Sequence, residues 1–340
     1  MTFSRLFFAL LTLSVLSCNP EKEGRRLPRH SGEPGEVIVV MEEPLWRGAP
    51  GDSLRVILED YVQYLPQAEP RFKLLHFTQA QMSGLLQQHR NIIQINIDPD
   101  YTESEGVKLV RDKWSSHQVV LAINAANLDG YYQLLKEQVP QAADIIDDTE
   151  MDRLDQRLYK FKSDDIQDKI KAKFGMDLRV PDDCEIAKEA EDFLWIKRER
   201  IKYIRNEGHQ ITQGFFIYTY PYSSDSAFTQ REILAVRDSV LKQYVPGPSV
   251  NSYMTTEYRY PPESENETVN GRFATITRGL WRTENEFMGG PFVSLTTTSG
   301  DGSEIVCVSG FVFAPKFDKR EYIREVEAVL KTVKPSTDGA

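Results

Sequence analysis

Cysteine is nearly absent: 340 residues contain only Cys18, Cys184 and Cys307. Cys184 and Cys307, far apart in sequence, make no disulfide framework. Cys307 lies inside the apolar "EIVCVSGFVF" and reads as a small buried hydrophobe, with pairing to Cys184 as the alternative. Histidine is almost as scarce. His30, His76, His89, His117 and His209 form neither HExxH nor His-x-His, and none has a cysteine at ligand spacing. No metal and no cofactor is expected on that ground. The chain also lacks a P-loop, a GxSxG elbow and a GxGxxG after a strand. Basic residues are in deficit, 41 against 51 acidic. That excludes the basic footprint of a nucleic-acid binder, and adhesion to anionic lipid through charge alone.

Long apolar runs are missing too. The run from Leu6 to Leu16, after Arg5, is shorter than the roughly 20 residues that span a hydrocarbon core. It has signal-peptide proportions, so residues 1–17 are read as an address removed from the mature protein. Val15-Leu16-Ser17-Cys18 then resembles the lipobox of bacterial lipoproteins, with a small residue before the thiol that takes the lipid. The bland alternative is an ordinary secretory signal with an incidental cysteine. Each buried lipid methylene contributes about 0.8 kcal/mol, so a multiply acylated Cys18 anchors the body stably. Residues 18–35, broken by Pro20, Gly24, Pro28, Gly32, Pro34 and Gly35, read as a tether.

What is there resembles a globular body. "EVIVVMEE" (36–43), "RFKLLHF" (71–77), "NIIQINI" (91–97) and "QVVLAIN" (118–124) read as strands. Helices are predicted over 53–65, 78–89 and 104–115. Residues 128–192 carry helical spacing and many charges: from Asp144 to Asp192 there are 16 acidic and 9 basic residues. Such a run is an acidic partner surface or a solvated helix face. Strands return at 193–205, 214–222, 272–281, 292–298 and 304–313, with a hairpin at Asp301-Gly302. Helices are predicted over 230–245, with a capping box Thr229…Glu232, and over 319–333, capped by Asp318.

These elements predict an α+β fold, mainly antiparallel sheet covered by helices, with a weak duplication of two α/β halves flanking a charged helical middle. The parts are 1–17 signal, 18–35 tether, 36–127 first α/β part, 128–192 charged segment, 193–335 second α+β part and 336–340 tail.

Few residues suggest chemistry. Asp98-Pro99-Asp100 ends a predicted strand and could serve as an acid–base pair, or simply as a turn. Arg90 could hold an anion or a structural salt bridge. Trp46 and Trp281 could stack on a ligand or belong to the core. Lys316, Lys319 and Arg320 crowd the start of the last helix, where free amides favour an anion. The candidate site residues are therefore Cys18 for lipidation and Trp46, Arg90 and Trp281 for ligand contact.

The lipobox, "WRGAPGDSLR", "LPQAEPRF", "RNIIQINI" and "FVFAPKFDKREYIREVEAVL" together resemble an uncharacterised family of Bacteroidota lipoproteins, a domain of unknown function, over nearly the whole mature chain. The resemblance implies a cell-envelope lipoprotein and supplies no catalytic residue. The expected function is a non-catalytic binding or accessory module in the envelope, at the outer membrane with its face left open. Its partners would be the membrane, through lipid on Cys18, and an envelope protein or small ligand, not nucleic acid. The alternative is a carboxylate-dependent hydrolase of envelope polymers using Asp98 and Asp100.

Overall fold

The structure, a computed structural model, describes residues 26–100 and 104–336. Cys18 and its leader lie outside the described residues.

The first part contains β1 (Glu36–Val40), α1 (Glu43–Trp46), α2 (Ala49–Leu58), β2 (Lys73–Phe77), β3 (Asn91–Ile97), β4 (Gly106–Arg111) and β5 (Val119–Ala125). Their sheet has the order β2-β1-β3-β5-β4, parallel except for β4. β1 shows no alternation because both its faces are covered. Val37 and Val39 pack with Leu54, Leu58 and Tyr131, while Ile38 and Val40 pack with Met82 and Ile92 on the other side.

Then come α3 (Leu128–Glu137), α4 (Val139–Lys160) and α5 (Asp164–Phe174). α3 and much of α4 close the first sheet. α5 is held at both ends, by the Ser163 hydroxyl accepting from the Ile166 N–H and by Gly175 in the left-handed region.

The second part contains β6 (Met176–Asp177), β7 (Glu185–Ala190), β8 (Phe193–Ile204), β9 (Glu207–Pro221), α6 (Gln230–Tyr244), β10 (Met254–Thr256), β11 (Glu263–Val269), β12 (Arg272–Thr283), β13 (Gly289–Thr298), β14 (Glu304–Phe313), α7 (Arg320–Leu330) and β15 (Lys334–Pro335). Eight strands form one antiparallel sheet, β10-β12-β13-β14-β9-β8-β7, with β11 also on β12. Period-two alternation divides its faces. Leu194, Ile196, Phe215 and Ile217 join α5 and α7 in one core. Phe193, Phe216, Tyr218 and Phe311 join Leu234 and Leu241 of α6 in the other.

The protein is thus an α+β fold with mostly antiparallel sheet packed against several helices. A strand–helix–strand unit opens the first part, and another, β9–α6–β10, lies inside the second. β1 and β2 are adjacent, whereas α6 carries the chain from β9 over β14, β13 and β12 to β10.

Several elements differ from the sequence reading. The helix expected at 53–65 runs Ala49–Leu58, started by Pro50 in its first turn. Residues 78–89 hold only a short 3-10 turn, Gln79–Gln81, and Gly84 takes a positive φ. The stretch 104–115 is strand β4, because pairing of Val107 and Leu109 with Ile123 and Leu121 overrides a weak helical pattern. Helix in the charged segment stops at Phe174, and Glu185–Ala190 is a charged edge strand. Thr229 makes no side-chain cap; its hydroxyl donates to the Ser226 carbonyl. Asp318 does not cap α7 either: the carboxylate of Glu69 takes that place. Cys184 and Cys307 are unpaired, and burial raises both thiols above their ordinary value.

Candidate binding site

α6 ends at Tyr244, and Pro246 and Pro248 prevent it from continuing. The sheet beneath it does not end there. Past the helix terminus the Val245–Pro248 turn roofs the aromatic face of the sheet, and a cavity of about 220 Å³ lies under it. Trp195, Trp281, Phe311 and Phe313 line it, with Met254 and Met288 at one side.

Glycines face two of the large rings across the strands. Trp281 pairs with Gly290 and Phe311 with Gly214. A Cβ on Gly290 would meet the Val312 carbonyl oxygen at 2.1 Å, and one on Gly214 would meet the Phe311 ring at 2.0 Å. The Trp281 indole therefore crosses the intervening strand and donates from Nε1 to the Val312 carbonyl at 3.1 Å. Trp195, Phe216, Phe311 and Trp281 form a chain of ring contacts with centroids 5.3–5.7 Å apart. These separations are those of favourable tilted and offset pairs.

The polar end of the cavity is made by Glu199 of β8 and Gln210 and Thr212 of β9. Gln210 Nε2 donates to Glu199 Oε1 at 3.1 Å. Lys197 lies 3.1 Å from Glu185 and 3.4 Å from Glu199, one ammonium between two carboxylates. Its hydrogen bond to Glu185 raises the ammonium above its ordinary value, with burial opposing.

Around the mouth, large apolar side chains point into solvent. Val250 is 88% exposed, Phe287 fully so, and Ile201 and Tyr203 are 65% and 69% exposed. Each lies one to four residues from a lining residue. Ile201 and Tyr203 continue the face of Glu199 along β8 and lean over Gly208, where a Cβ would be 3.0 Å from Ile201.

The residues singled out from the sequence are scattered. Trp281 lines this cavity. Trp46 is in the first part, stacked on His76 at 4.7 Å, with the Arg55 guanidinium 4.2 Å over its ring. Arg90 is buried and donates to Glu150 at 2.5 Å. Asn91 Nδ2 donates to the other Glu150 oxygen at 2.7 Å, and Arg153 reaches the same carboxylate at 2.8 Å. Burial brings Arg153 down to about 10. This group is a closed ion cluster fastening α4 to the start of β3. Asp98 and Asp100 are exposed, and Asp98 Oδ1 accepts the Asp100 N–H at 2.9 Å, which is the geometry of an Asx turn. Among the described residues, no group of three or more His, Cys, Asp or Glu is placed to hold a metal ion.

Sequence reasoning missed Trp195, Phe311 and Phe313 as a group. Their alternation was visible, but not the strand order that brings β8, β14 and β12 under one turn. The breaker "VPGP" after α6 was the available signal.

Residues 163–332 match a family described as Domain of unknown function (DUF4837), and residues 30–159 match another, Domain of unknown function (DUF8532). The two matches meet at the turn between α4 and α5. No curated protein matches the chain. Among solved structures, a protein from Bacteroides thetaiotaomicron VPI-5482 is similar at 12% identity over 48% of this chain and 46% of that one, with a TM-score of 0.26. The chain thus spans about half the length of that relative. LpqN, involved in cell envelope biogenesis of Mycobacterium tuberculosis, is similar at 15% identity over 47% of this chain and 82% of that one, with a TM-score of 0.27. Neither likeness is close enough to carry an argument about function.

Proposed function

The chain belongs to the family described as Domain of unknown function (DUF4837), and we propose that it is a lipid-anchored envelope module that binds an apolar group without turning it over. The anchor is supported by Cys18 directly after the apolar run Leu6 to Leu16. The binding role is carried by one observation: an aromatic cavity, floored by Trp281 and Phe311, whose lining contains a single ionisable side chain, Glu199. A hydrolytic site needs several titratable groups converging on one point. This cavity offers rings and methionines instead, the composition of a recognition pocket.

The test uses the mature chain with Cys18→Ala and the neutral fluorescent probe N-phenyl-1-naphthylamine. Saturable binding is expected, and Thr212→Trp, which fills the cavity, is expected to abolish it while leaving the circular dichroism spectrum intact. Binding that survives the filling substitution would place the probe elsewhere. Turnover of envelope glycans or peptides that is lost in Asp98→Asn or Asp100→Asn would replace the binding role with the hydrolase.

A further inference from the structure

We infer that the ligand is a single-chain amphiphile whose head is cationic or a neutral hydrogen-bond donor, and that the site discriminates against an anionic head. This rests on the binding role proposed above for the same cavity.

Size argues for one chain. The cavity, about 220 Å³, lies below the roughly 300–1,000 Å³ of pockets that hold drug-sized ligands. It has room for one hydrocarbon chain or ring, not for the paired chains of a bilayer lipid. Its walls also favour a chain: Met254 and Met288 are unbranched and adaptable.

Charge at the polar end decides the head. Glu199 is the one ionisable group of the lining, with its side chain 43% exposed, so it is hydrated and accessible at the mouth. Its neighbour Lys197 is shared with Glu185, which leaves the trio net negative. Glu286 stands beside the exposed Phe287, next to the lining residue Met288. Lys188, across the strand from Trp195, donates to the Tyr244 carbonyl at 3.1 Å, so Glu199 is the charged group of the lining that a ligand head would meet. A head carrying positive charge, or a hydroxyl donating to Glu199, meets an acceptor there. A carboxylate or sulfate head meets like charge at Glu199.

The probes are decyltrimethylammonium, decanol and decanoate, each below its micelle concentration, measured by displacement of N-phenyl-1-naphthylamine from the mature Cys18→Ala chain. Decyltrimethylammonium is expected to bind about two- to fivefold more tightly than decanoate, the range of a half-exposed charge contact. Decanol should fall at or above decanoate. The preference should shrink as salt rises. Glu199→Gln should bring the two charged probes together and leave decanol unchanged. Glu207→Gln, at the far end of the same hairpin, should leave the preference in place, which separates a local contact from attraction by the acidic protein as a whole.

Equal affinity of the charged probes for the unaltered protein would overturn this inference and leave the apolar pocket standing, since decanol still binds. So would a preference that persists in Glu199→Gln. If none of the three displaces the naphthylamine although that probe is itself blocked by Thr212→Trp, the chain-like ligand is wrong while the pocket remains. If the naphthylamine does not bind either, both readings fall together.

Discussion

The carboxylate of Glu69 closes the helix that begins next to Lys319, 250 residues further along the chain. Its two oxygens accept the Lys319 backbone N–H at 2.7 and 2.8 Å, and Oε2 accepts the Arg320 N–H at 2.7 Å. Both Glu69 and Lys319 are buried. The anion that the sequence invites at this basic helix start is therefore supplied from within the chain. It ties the first part to α7, which packs on the second sheet. Arg71 and Arg324 repeat the tie on either oxygen of Asp147, at 2.5 and 2.8 Å.

Glu69→Ala is accordingly expected to lower stability by about 1–3 kcal/mol, the cost of leaving buried donors of a helix terminus without an acceptor. Glu69→Gln, which retains one acceptor oxygen, should cost less. Urea unfolding followed by circular dichroism measures both. An unchanged midpoint in Glu69→Ala would show that water replaces the carboxylate freely.

The Glu150 cluster should be more sensitive. Glu150 is 2% exposed and faces the guanidinium groups of both Arg90 and Arg153. Glu150→Ala strands two buried cations, a loss of about 3–5 kcal/mol. Substitution of the exposed Asp98, by contrast, should shift the midpoint by less than about 0.5 kcal/mol. A Glu150→Ala protein as stable as the parent would mean that the arginines find other acceptors.

Stability should fall on mild acidification. Burial, with Arg90, Arg153, His117 and Arg29 adding to it, holds His30 down to about 4 from an ordinary 6.5. Burial lowers His89 as well, partly opposed by the Asn91 carbonyl and Glu36. Both rings thus stay neutral in the fold where the unfolded chain takes up protons. Their effect is absent above about pH 6.5 and destabilises progressively as pH drops from there toward 4. Thermal unfolding across that window should show the slope, and His30→Gln should flatten it. A His30→Gln profile parallel to the parent would remove His30 as its source.

Lipidation is tested directly. In a lipoprotein-competent host fed labelled palmitate, the parent should take up label and Cys18→Ala should not. Label retained by Cys18→Ala would move the anchor elsewhere.

The fold was legible where local pattern and tertiary contact agree. β1, β3, β14 and α6 carry their cores as short apolar runs or helical stripes, and each stands close to where its pattern places it. It was illegible where a distant partner decides. β4 is a strand because β5 offers it an edge, and β7 because β8 does. The cap of α7 could not be read from Asp318, since its actual acceptor is Glu69. The site behaves in the same way. Trp281 stands out as a large aromatic in any reading, but its role as floor depends on Gly290 lying opposite it, and that follows only from strand register.

The position of β9 between β8 and β14 has a consequence for synthesis. β9 meets β8 at once through a tight hairpin, but its other edge waits: Thr219 pairs with Val306, which leaves the ribosome much later. At roughly 5–20 residues per second, the strand stands open on one side for several seconds, with Phe215, Phe216 and Ile217 unshielded. The β8–β9 ribbon is then the sticky element of the nascent chain, and stalled chains ending before Glu304 should be cleaved there by protease while the finished protein resists. Completion of β14 is the step that removes this exposed edge.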